Sequence, residues 1–173
     1  MKRIFMFFMV ACSSAAMMAQ TLSVGATVSD VYEGNTIAYK ITAVDDEHQT
    51  ATAELITSGT DLGSAEKTLT IPETFEYQGY TVTPNSMQSD GWLSGAQYGR
   101  IVFNSSITSI NSRALRYAYN LTSVDLKNVT SLGMAVFENS PWNAIDLTKV
   151  TSIGDMVGRF SAITSLHIPA ATS

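Results

Sequence analysis

From Asn104 onward the apolar residues fall into columns that recur at a nearly constant step along the chain. Ile110, Leu132 and Ile153 form one column, and Leu121, Trp142 and Ile163 a second. Val124, Ile145 and Leu166 form a third, and Leu126, Leu147 and Ile168 a fourth. A Thr-Ser tetrad keeps the same step, with its threonines at Thr108, Thr130, Thr151 and Thr172. Inside one unit, "LTSVDL" (Leu121–Leu126) places Val124 and Leu126 on one side and Asp125 on the other, the alternation of a short strand. Gly, Asn, Ser and Pro fill the connections. A short strand returning at constant spacing predicts one coil of a parallel solenoid. Burial of the apolar side chains of one unit falls short of the entropy lost in ordering it. Neighbouring coils must therefore cover each other, and the tetrad marks the same corner in each.

The front half has a different rhythm. "NTIAYKITAV" (Asn35–Val44) alternates with Ile37, Tyr39 and Ile41 on one face, "DDEHQ" (Asp45–Gln49) is a polar turn, and "TATAELI" (Thr50–Ile56) returns. This predicts a hairpin. "KTLTIPETFEYQGYTVTP" (Lys67–Pro84) predicts a further strand, a proline step and a second hairpin about Gln78-Gly79. Pro84–Gly99 reads as irregular, and Arg100–Ile110 enters the repeat rhythm. The expected organisation is a β-rich N-terminal cap with a first strand leading into the array over 21–103, then repeats over 104–173 (107–128, 129–149, 150–170). A further unit starts at 171, and since "AATS" (Ala170–Ser173) aligns with "KVTS" and stops, the array is expected to be truncated at its C-terminus.

"ITSINSRALRYAYNLTSVDLK", "VTSLGMAVFENSPWNAIDLTK" and "VTSIGDMVGRFSAITSLHIPA" resemble the BspA-like leucine-rich repeats of microbial surface proteins. "LTIPETFEYQGYTVT" (Leu69–Thr83) is similar to the segment that introduces such arrays. The resemblance implies a leucine-rich repeat solenoid of the α/β class, mostly short parallel strands joined by irregular or short helical turns. It also implies a secreted or surface-exposed protein that binds partners without catalysis, in some relatives an adhesin. Extracellular protein or glycan partners follow from it, host matrix among them, and no cofactor. The chain departs from the family pattern in places. The paired Ala-Phe is Ala114-Leu115 in the first unit and Val136-Phe137 in the second, and Gly158 stands at the Phe place in the third, where Phe160 can substitute. Ala118 and Ser140 occupy the place of the family's frequent cysteine.

Residues 1–19 carry the marks of a signal peptide: Lys2 and Arg3, the short apolar run Ile4–Ala11, then small residues. The run is too short to span a membrane. Cys12 is the single cysteine and follows "MVA", so a lipid anchor at Cys12 is the alternative to simple cleavage. Export with no second cysteine leaves burial and backbone pairing to hold the fold. The formal charge is −5, and loss of Lys2 and Arg3 with the leader takes it to −7. Thr21–Phe103 carries a net −8 and Asn104–Ser173 a net +1. An acidic front half argues against nucleic acid as a partner.

Asp125, Asp146 and His167 hold one outward strand position in consecutive units, after Val102. Stacked strands about 4.8 Å apart would set them in a ladder. Two carboxylates at that spacing repel, which a cationic or basic partner group would relieve. The ladder is therefore a candidate ligand-facing surface, against the alternative of a solvated column in which the carboxylates splay. Ser165, His167 and Asp146 do not make a nucleophilic triad, because residues two apart on a strand hold serine and imidazole too far apart and no G-x-S-x-G elbow is present. "DDEHQ" lacks metal-ligand spacing and suits a hairpin tip. Trp142 shares a core column, whereas Trp92 in the irregular segment is a candidate exposed aromatic. Asn104, Asn120 and Asn128 head N-x-Ser/Thr triplets, which the abundance of Ser and Thr explains.

Overall fold

The structure, a computed structural model, describes residues 21–88, 91–142 and 144–159. The leader with Cys12, and Phe160, Ile163, Ser165, Leu166, His167, Ile168 and the last tetrad, lie outside the described residues.

The chain opens with β1 (Thr27–Tyr32), β2 (Asn35–Asp45) and β3 (Thr50–Ile56). It then runs through β4 (Thr68–Thr70) to β5 (Phe75–Tyr77) and β6 (Tyr80–Met87). All of these except β4 form one five-stranded sheet in the order β1-β2-β3-β6-β5. Both hairpins expected from the sequence are present, β2 with β3 and β5 with β6, and β6 lies parallel to β3. The β5–β6 turn holds Gln78 at φ 50° and Gly79 at φ 88°, the paired left-handed residues of a tight hairpin. Glu33 (φ 50°) and Gly34 (φ 77°) make the same turn between β1 and β2. Ile37, Tyr39 and Ile41 are fully buried with Ala53, Leu55 and Val82, and Tyr39 stacks on Phe75 at 4.4 Å between centroids.

The rest of the strands are short and parallel: β7 (Arg100–Val102), β8 (Ser109–Ile110), β9 (Ser123–Asp125), β10 (Ser131–Leu132), β11 (Ala144–Ile145) and β12 (Ser152–Ile153). They form two sheets, one ordered β11-β9-β7-β4 and the other β12-β10-β8. The Thr-Ser tetrad builds the second sheet, with Ser131 paired to Ser109 and Ser152, and Leu132 to Ile110 and Ile153. The tetrad thus takes the same paired place in successive repeats. Its threonines climb with it: the Thr130 N–H donates to Thr108 O at 2.9 Å and the Thr151 N–H to Thr130 O at 2.8 Å. In the first sheet Leu69, Ile101 and Val124 face inward, as do Ile71, Phe103, Leu126 and Leu147, all buried.

β4, expected from the sequence only as a further strand within 21–103, pairs with β7 as the outermost strand of the four-stranded sheet. The chain therefore leaves the five-stranded sheet, lays down one rung, returns for β5 and β6, and leaves again. Asn104, buried, ties the two parts by donating to Pro72 O at 2.9 Å and Pro84 O at 2.8 Å.

Between strands, the segments are turns, and no helix is present among the described residues. The irregular alternative in the expected fold class is the one found. Left-handed residues recur in register at Arg113, Ala135 and Met156, and at Tyr117 and Asn139. The backbone there is also tied repeat to repeat. Arg113, Leu115 and Tyr117 donate to the carbonyls of Met134, Val136 and Glu138, and Ala135, Phe137 and Asn139 to those of Asp155, Val157 and Arg159. Gly91–Gly99, read from sequence as irregular, is the turn segment of one more repeat. Its Gly95 N–H donates to Arg116 O, and its Gly99 O receives the N–H groups of Thr122 and Ser123.

Candidate functional site

The outward column of the four-stranded sheet is built by register. Thr70 pairs with Val102 and Val102 with Asp125, while Val124 pairs with Ile145, which carries Asp146 to the next place. Asp125 and Asp146 do occupy equivalent positions on one face; His167 lies outside the described residues. Each carboxylate turns back onto its own chain. Asp125 Oδ1 accepts from the Lys127 N–H at 3.1 Å, and Asp146 Oδ1 accepts from the Thr148 N–H at 2.9 Å. Such a bond from the residue two places on is an Asx turn, which ends the strand. The Thr148 backbone N–H, then its hydroxyl, hold the Asp146 carboxyl below the usual carboxylate range, with Lys149 adding to the effect. The repulsion expected between neighbouring carboxylates is thus met locally by N–H dipoles and lysine.

Between these rungs lies a groove of about 290 Å³ lined by Asp125, Leu126, Lys127, Val129, Asp146, Thr148 and Lys149. A polar track borders it. Lys149 Nζ donates to Asn128 Oδ1 at 3.0 Å, Asn128 Nδ2 to Ser105 O at 3.1 Å, and the Ser105 hydroxyl to Glu73 Oε2 at 2.6 Å. The groove is shallow and carries both signs of charge, which suits contact with a polar surface more than enclosure of a small molecule.

Trp92 corrects the sequence expectation. Its side chain is 0% exposed and packs against Phe103, ring centroids 6.0 Å apart. The reason is the unrecognised repeat: Trp92-Leu93 stands one repeat before Ala114-Leu115, so Trp92 fills an inward place. Tyr98, Ile101 and Phe103 match Leu121, Val124 and Leu126 at one constant offset, the signal that could have revealed it. Trp142 is buried as expected, against Phe137 at 5.0 Å.

The "DDEHQ" loop is a self-satisfied hairpin tip. Asp45 accepts from the N–H groups of Glu47 and His48 and from His48 Nδ1 at 2.8 Å, and Tyr80 donates its hydroxyl to Asp46. No group of metal-ligating side chains is present among the described residues. Nor is any described helix long and apolar enough to cross a membrane.

Sequence reasoning missed a second feature, on the turn side of the repeats. Arg116, Glu138 and Arg159 stand at one repeat position in consecutive units. Glu138 is buried, with Arg116 Nε 2.7 Å from its Oε2 and Arg159 Nη1 3.8 Å from its Oε1. The Arg116 Nε–H is not aligned on that oxygen, so the contact is an ion pair more than a directed hydrogen bond. The Arg116 guanidinium lies 4.4 Å from the centroid of the Tyr117 ring, and its Nη2 donates to the Tyr117 hydroxyl at 2.8 Å. Tyr117 in turn meets Tyr119 at 5.9 Å between centroids, and Tyr119 is 59% exposed. The alternation of charge sign at a constant repeat spacing was the available signal.

The family model for the BspA type leucine rich repeat region matches residues 91–173, in six copies. Its start agrees with the extra repeat that begins at Gly91. Among solved structures, the pneumococcal vaccine antigen PcpA is similar at 14% identity and a TM-score of 0.45, over 81% of this chain and 49% of that one. A leucine rich cell surface protein from Faecalibacterium prausnitzii A2-165 is similar at 17% identity and a TM-score of 0.44, over 76% of this chain and 35% of that one. The chain thus spans about half the length of the first and about a third of the second. No curated protein matches the chain.

Proposed function

Residues 91–173 belong to the BspA-type leucine-rich repeat family, and on that premise we propose that the chain is a noncatalytic recognition protein, adhesin-like, acting outside the cell. In this reading the two parallel sheets are walls of a leucine-rich solenoid, and the five-stranded sheet is its N-terminal cap. Residues 1–19 direct export, with release by cleavage or retention through Cys12. The partners are extracellular proteins or glycans, host matrix included. The observation that carries the reading is the outward column Thr70–Val102–Asp125–Asp146 with its lysine-flanked groove. His167 would extend that column by one place. Association over such a surface is broad and weakly charged, with specificity set by complementarity at its rim.

Asparagine substitution provides the test. Asp125→Asn with Asp146→Asn keeps an acceptor oxygen for each Asx turn and removes both charges. Binding of the full chain to an immobilised panel of matrix proteins and glycans should fall by about tenfold for the cognate partner, about 1.4 kcal/mol. Unchanged binding to that partner would remove the column from the interface.

A spacer that presents a further module is the second reading, favoured by one observation: both carboxylates are already satisfied within the chain. Under it, the full chain binds nothing on the panel, and an attached module accounts for all recognition.

A further inference from the structure

We propose that the turn side of the repeats carries a separate subsite for an acidic glycan, formed by Arg116, Tyr117 and Tyr119 and lying apart from the outward strand column. Three observations lead there. First, Arg116 is held from two directions. Its Nε meets buried Glu138 at 2.7 Å, and its Nη2 donates to the Tyr117 hydroxyl at 2.8 Å. The Nη1 edge has no partner among the described residues, and the side chain is 31% exposed. A guanidinium held so that one edge faces outward is arranged for a planar anion such as a carboxylate.

Second, Tyr119 keeps its ring in water. It is 59% exposed, among the largest exposed apolar side chains, and it leans on Tyr117 at an interplanar angle of 35°. Tyr117 is itself fixed by the guanidinium 4.4 Å from its ring centroid. Exposed aromatic rings with polar tips occur where one face meets an apolar surface and the rim stays wet. The C–H face of a sugar ring is such a surface, and its hydroxyls match the rim. Beside Tyr119, the Asn120 amide donates to Gln97 Oε1 at 2.6 Å, leaving its Oδ1 as an acceptor at the platform's border.

Third, the local charge is opposite to that of the chain. Arg116 and Arg159 flank a single Glu138, so this cluster is net positive in a chain of formal charge −5. Arg159 serves here only through its charge, since it already meets Glu138 and Met156. An anionic ligand is attracted to this side of the molecule and repelled by the acidic N-terminal half. A uronic-acid polymer unites the two requirements, a carboxylate for the guanidinium edge and a sugar face for the ring.

The experiment measures binding of the full chain to a defined oligogalacturonate, to a neutral malto-oligosaccharide of equal length and to a poly-glutamate peptide. The oligogalacturonate should bind about tenfold or more tightly than either control, and weaken as salt is raised. Tyr119→Ala, at an exposed position, should reduce that binding by about fivefold with the thermal midpoint unchanged. Arg116→Lys keeps the charge but loses the planar edge, and should lower it by a similar factor. Asp125→Asn with Asp146→Asn, which weakens binding at the strand column, should not weaken oligogalacturonate binding, and that separates this subsite from the column. Three results would overturn the proposal: no binding of the oligogalacturonate, equal binding of poly-glutamate (a peptide or charge-only site), or full binding by Tyr119→Ala.

Discussion

Ser140 offers a direct test of how the repeats are held together. It is fully buried and stands where the family pattern often has cysteine. Its hydroxyl donates to Leu115 O at 2.7 Å and accepts from the Ala118 N–H at 3.1 Å, so one side chain satisfies two backbone groups of the preceding repeat. Ser140→Ala removes both bonds. The stranded N–H and carbonyl then have only each other, at 3.4 Å, a poor hydrogen bond. Leaving one buried polar group unsatisfied costs about 1–3 kcal/mol, and the residual contact offsets part of the pair, which puts the loss at about 2 kcal/mol. For a chain of this length that is a fall in Tm of about 4–8 °C. Urea unfolding followed by tryptophan emission suits the measurement, because Trp142 lies close by in the sequence and reports the same repeat. Ser140→Cys, a weaker donor of larger volume, should lose about half as much. If Ser140→Ala stays within about 0.5 kcal/mol of the parent at an unchanged m-value, the hydroxyl bridge does not hold the repeats together.

Gly133→Ala should be more damaging than an ordinary glycine replacement, by about 1–3 kcal/mol in the same assay, because a Cβ there would lie 2.6 Å from the backbone nitrogen of Ser112 and force two rungs apart. With Trp142→Phe as background, Trp92 is the sole tryptophan, and its emission should be blue-shifted and resistant to iodide; ready quenching would contradict its burial against Phe103. Glu73 is held below the ordinary glutamate range by the Ser105 hydroxyl first and the Ser105 N–H second. Its folded pKa is the lower one, so its contribution to stability is complete above the unfolded value and is lost as pH falls through the folded value. Ser105→Ala should raise the Glu73 titration midpoint observed by NMR and move that acid loss to higher pH, and an unmoved midpoint would refute the assignment.

Much of the fold was legible because the buried columns repeat and the exposed Thr-Ser tetrad keeps step with them. Leu126 recurs as Leu147, and Ile101 as Val124, since each must cover the same inward layer, and any exception costs cavity or strain. The two hairpins were legible for the same reason, through strict alternation and a Gly-bearing turn. β1 was missed although Glu33-Gly34 announces a tight turn, because "TVSDVY" has few large apolar residues and Val31 points outward. The partner of β4 was not legible, since three residues of strand look alike whichever partner they take, and only long-range pairing with β7 decides.

The candidate sites divide along the same line. The shared face of Asp125 and Asp146 followed from register alone, but the fate of their carboxylates did not. A strand-ending Asx turn depends on the backbone two residues on, which no column of equivalent positions encodes. Trp92 failed for the opposite reason. Its environment is set by a repeat segment that no Thr-Ser tetrad precedes, so a large aromatic in a Gly- and Ser-rich stretch looked stranded when it was filling an inward place. In the cluster of Arg116, Glu138 and Arg159 the period is kept around one buried charge. Glu138 lies inside, and its two arginines are therefore drawn to equivalent places one repeat either side. Tyr117 and Tyr119 have Asn139 and Pro141 as their counterparts, so nothing in the packing demands aromatic rings there. A side chain that the architecture does not require, held in a fixed orientation and left in water, is where recognition in this molecule can differ from one repeat to the next.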